Sequence, residues 1–133
     1  MKTSRLFIAA KKMGMTTING DSGSRHGVTL LEMVPSKVIC KKTIGNDGYE
    51  AVQVGYEISS VEKLNRPALG HQKEAISDSK EGYKNLTEVR VSDSSEFDLG
   101  QDISNYLHVG EMVTVIGRSK GKGFTGVMKR HNF

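Results

Sequence analysis

Apolar and polar residues alternate with period two in short runs along most of this 133-residue chain, and Gly, Asn, Asp, Ser or Pro bounds each run. Such alternation sends successive side chains to opposite sides of an extended backbone, so it predicts half-buried strands. Six are predicted, over 6–10, 28–34, 37–43, 51–56, 85–91 and 112–116. Pro35-Ser36 and Gly45-Asn46-Asp47-Gly48 read as turns of the hairpin kind, the second rich in residues that accept positive φ. The stretch 59–84 has no alternation, mixes charges and contains Pro67, which predicts a surface excursion or short helix interrupting the β pattern. Another turn is expected at 98–102, followed by a candidate short strand at 103–108. Met13 and Met15, alternating across Gly14, read as core. The whole reads as mainly β, and six short strands suit a small barrel.

Length favours a single domain, and the 36% hydrophobic and 26% charged content suffices for a modest core. No run approaches the roughly 20 apolar residues that span a bilayer. Lys2 and Arg5 precede a short apolar stretch that Lys11-Lys12 cut off, so the start reads as mature sequence and not as a leader. Cys40 is the only cysteine, which rules out an internal disulfide or a zinc ribbon and favours a reducing compartment.

Charge is sorted by position. Residues 1–20 carry four bases and 118–133 carry five, neither segment has an acid, and the overall net charge is only +4. The middle of the chain is therefore acidic, and only the ends resemble contacts for a polyanion.

Known chemical motifs fail one by one. Gly121-Lys122-Gly123-Phe124-Thr125-Gly126 fits G-x-G-x-x-G, but the dinucleotide fingerprint needs a helix, a strand and a ribose-binding acid afterwards. The sequence ends at Phe133. A phosphate loop would need glycine at 116 and a hydroxyl at 123, where Ile116 and Gly123 stand. His26, His71, His108 and His131 include no pair at i, i+4 spacing and read as surface or hydrogen-bonded residues. Cys40 reads as a small half-buried strand residue. No catalytic residue, metal site or cofactor is expected.

The final 17 residues are different material. Residues 117–133 hold five bases, four glycines and three flat rings with no acid. Lys and Arg neutralise phosphates and release counterions, glycine allows close backbone approach, and Phe124, His131 or Phe133 could stack on an unpaired base. Alone, such a tail buries too little apolar surface to offset its ordering entropy, so it is expected to fold against its polyanion.

These residues also carry a resemblance. Ser119-Lys120-Gly121-Lys122-Gly123-Phe124, continued by Lys129-Arg130-His131-Asn132-Phe133, resembles the signature of bacterial-type large-subunit ribosomal protein three, in its N-terminal part. Lys11-Lys12-Met13-Gly14-Met15-Thr16, followed by Val28-Thr29-Leu30-Leu31-Glu32, is similar to that family's N-terminal hallmark. Gly48-Tyr49-Glu50-Ala51-Val52-Gln53 resembles its Gly-Tyr-x-Ala-Val-Gln strand, and Pro67 with Gly70-His71 its helical excursion.

The resemblance implies a Greek-key β-barrel like that of translation proteins over 1–117, and over 118–133 the start of a basic extension penetrating ribosomal RNA. It implies a structural, non-enzymatic role in early large-subunit assembly. Arg118, Lys120, Lys122, Lys129 and Arg130 would meet RNA, Phe124 and His131 would join them, and Lys11 and Lys12 would add contacts from the barrel. Gly121, Gly123 and Gly126 would permit close packing. The implied partners are large-subunit ribosomal RNA and neighbouring ribosomal proteins, on a ribosome of the bacterial cytoplasm or an organelle matrix. Family members continue beyond the Asn132-Phe133 position, so the barrel is expected to be incomplete without a C-terminal half. A separate chain carrying that half, and a parent protein of which this is a fragment, both fit. Two rival readings are an RNA-binding or interaction module that works off the ribosome, and a nucleotide-using enzyme with the glycine loop as its site.

Overall fold

The computed structural model describes residues 7–76, 80–103 and 107–133. Its strands form two antiparallel sheets: β1 (Ala10–Asn19) pairs with β2 (Arg25–Met33), and β3 (Ser36–Lys42), β4 (Ala51–Ser60) and β5 (Glu81–Arg90) pair in that order. The expected mainly β architecture is present. Among the described residues the two sheets do not close into a barrel.

The first sheet corrects the sequence reading twice. A strand was expected to end at position 10, yet β1 begins there; position 6 lies outside the described residues. The alternation is obscured because Lys12 opposes Leu31 and Gly14 opposes Leu30, leaving Met13 as the extra residue of a bulge. Met13 and Met15 are not core but 60% and 68% exposed, since no layer packs against them. Pro35 is likewise no hairpin turn, because β2 and β3 belong to different sheets.

The second sheet holds the core. Val38 and Ile39, consecutive in β3, are both buried, on opposite faces, and a bulge between Val38 and Cys40 shifts the register there. Val38 joins Val52, Val54, Phe97 and Ile103 on one face, with Phe7 and Val91 against them. Ile39 joins Ala75 and Tyr83 on the other. The segment 100–103 lies along the outer edge of β3, where Val38 donates to Gln101 and accepts from Gly100, and Ile103 donates to Ser36. The turn expected over 98–102 is present, with Gly100 at φ 78°. Of the candidate strand 103–108, residues 104–106 lie outside the described residues and Asp102 contributes only an isolated bridge to Lys37.

The interruption expected over 59–84 is real but narrower. It consists of a short 3-10 turn (Val61–Lys63) and a helix, α2 (Arg66–Gln72), with Pro67 in the first turn where a missing N–H costs nothing. Buried Gln72 anchors it: its amide nitrogen donates to the Tyr83 carbonyl and its oxygen accepts from the Tyr83 N–H, both at 2.8 Å. Gly82 sits beneath, where a Cβ would come within 2.5 Å of Leu64 Cδ1.

The turn from β3 to β4 is a single helical turn, α1 (Ile44–Asp47), closed by Gly48 at φ 81°. Glu50 ties this end together by accepting from the backbone N–H of Ile44 and of Ser94. Hydrogen bonds from Ser94 hold the Glu50 carboxyl below its ordinary range, the Lys42 ammonium does so for Asp47, and Ser95 does so for Asp93. The predicted strand 112–116 does not form: these residues are exposed and unpaired, because alternation gives a strand only where a neighbour can take its backbone groups. No helix among the described residues is long and apolar enough to cross a membrane.

Replacing Gln72 by Leu strands the Tyr83 backbone groups in an apolar setting. It should lower stability by about 2 kcal/mol in urea unfolding. A carboxylate with a lowered folded pKa adds stability above its unfolded value and loses it as pH falls through the folded one. Urea midpoints should therefore drop as pH is lowered from about 5, and Glu50→Gln should shrink that drop.

Candidate nucleic-acid interface

Beyond the sheets the chain runs from 107 to 126 without regular structure and then forms α3 (Val127–His131). Its N-cap is Gly126, and Asn132, in the left-handed conformation at φ 56°, terminates it. Arg130 donates to the Gly126 carbonyl and Phe133 to the Met128 carbonyl, closing the turn. Lys129, Arg130 and His131 occupy its last turn, where the orphan carbonyls favour positive charge. The helix thus gathers three of the expected contact residues at one end.

Arg118, Lys120 and Lys122 precede α3 on extended backbone, and all three are exposed. None of the tail's five bases forms an ion pair among the described residues. In the body, by contrast, Lys37 pairs with Asp102, Lys42 with Asp47 and Lys84 with Glu57. Arg90 lies 4.6 Å over the Tyr49 ring, whose hydroxyl donates to Glu88. Three of the body's cations thus have an acid within reach, and among the described residues none of the tail's has.

Phe124 is fully exposed, and the His131 and Phe133 rings stand 6.3 Å apart, tilted by 56°. A Cβ at Gly121, Gly123 or Gly126 would touch nothing within 4 Å, so packing among the described residues explains none of these glycines. Only Gly123, at φ 65°, needs glycine for its backbone. What remains is an exposed, cationic, ring-bearing surface of the kind that approaches a nucleic-acid backbone closely.

Lys11 and Lys12 lie at the base of the hairpin and, as neighbours in β1, project to opposite faces. Lys11 stands opposite Glu32, and Lys12 opposite Leu31. The two lysines expected to add contacts from the barrel therefore stand on different faces of one strand. Among the described residues no three His, Cys, Asp or Glu side chains converge in a way that could hold a metal ion.

If five tail cations meet single-stranded phosphates, log K should fall with log salt at a slope of about −3.5. Lys120→Ala with Lys122→Ala should make that slope shallower by about 1.4 in filter binding to large-subunit ribosomal RNA.

No family model matches the chain. Large ribosomal subunit protein uL3 of Geobacillus thermodenitrificans is 41% identical over 125 residues, covering 93% of this chain and 58% of the relative. That of Syntrophus aciditrophicus is 40% identical over 128 residues, covering 96% and 57%. That of Leifsonia xyli subsp. xyli is 40% identical, covering 99% and 59%, so hairpin, sheet and tail all fall within the match. The chain spans a little under three fifths of the length of these relatives. Over nearly its whole length, this chain is a partial match to the large ribosomal subunit protein uL3 family.

Proposed function

We propose that this chain is a structural, RNA-binding constituent of the large ribosomal subunit and catalyses no reaction. The observation that carries the reading is an acid-free cationic tail, unpaired among the described residues, in a chain about 40% identical to uL3 over most of its length. Arg118, Lys120, Lys122, Lys129 and Arg130 neutralise phosphates of large-subunit ribosomal RNA. Phe124 and His131 offer rings to unpaired bases, and Gly121 and Gly123 leave room for the backbone to approach. Lys12 adds a cation from the hairpin.

The same reading divides the chain into a β body over 1–117 and, over 118–133, the start of an extension entering RNA. The body is part of a Greek-key barrel. Its support is unfinished apolar surface: Ile18, Leu30 and Met33 on the hairpin are about half exposed, and an apolar hollow between Phe7, Val89 and Phe97 opens on the sheet. The remaining length of the relatives would supply the strands that cover them, whether on this polypeptide or on another. Neighbouring ribosomal proteins complete the surroundings, on a ribosome of the bacterial cytoplasm or an organelle matrix.

High-salt sedimentation of cell extract with protein identification in each fraction tests this reading. The chain should travel with the large subunit. Recovery only at the top of the gradient would overturn it in favour of a module that works off the ribosome.

A further inference from the structure

We draw no further inference here: the strongest candidate, the apolar hollow between Phe7, Val89 and Phe97 on the three-stranded sheet, belongs to the surface already assigned to the barrel's missing strands, and nothing among the described residues shows any other occupant.

Discussion

Two hydrogen bonds of 2.8 Å join the Gln72 amide to the backbone N–H and C=O of Tyr83, and the covering of the sheet's second face hangs on them. The amide does what a neighbouring strand would do, taking one donor and one acceptor off the outer edge of β5. A buried amide is stable only when both its ends are satisfied, so this pairing fixes α2 at one height against the sheet. From that anchor the chain turns back, Ala75 and Ile76 both donating to the Gln72 carbonyl, and Ala75 comes to rest with Ile39 and Tyr83. Gly82 belongs to the same constraint, since a side chain there would collide with Leu64.

Charge is divided along the chain by geometry as well as by sequence. In the body, some cations find partners across strand ends and turns, as Lys42 does with Asp47 in the α1 turn and Lys37 does with Asp102 beside β3. Exposed pairs of this kind add little stability, but they neutralise the surface locally. The tail has no acid to do the same, and among the described residues none of its cations pairs with an acid of the body. Its positive field is thus left for a partner outside the chain, and salt will weaken that attraction.

Much of the body was legible in sequence because its alternation is regular and its turns are chemically marked. β3 and β4 appeared near their true bounds, and Gly48 closes α1 with the positive φ that the Gly-Asn-Asp-Gly run suggested. β1 escaped because the bulge at Met13 shifts the alternation by one residue midway. Residues 112–116 misled in the opposite direction: Met112-Val113-Thr114-Val115-Ile116 has the composition of a strand, and strand composition does not supply a partner. The tail's cations could be read directly, since composition and lack of acid need no tertiary structure. The separation of Lys11 from Lys12 could not, because it depends on knowing that both lie in one strand.

The surfaces left open call for partners of two chemistries. RNA offers phosphates, hydroxyls and base planes, which suit the tail, but it cannot replace an apolar layer over Ile18, Leu30 and the hollow beside Phe97. A two-stranded ribbon is marginally stable by itself in water, so β1 and β2 need a protein layer against one face. On the reading proposed above, the rest of a uL3 protein supplies that layer. Covering Ile18 and Leu30 would fix the hairpin's orientation, so completing the protein core and setting the hairpin in place are then one physical step.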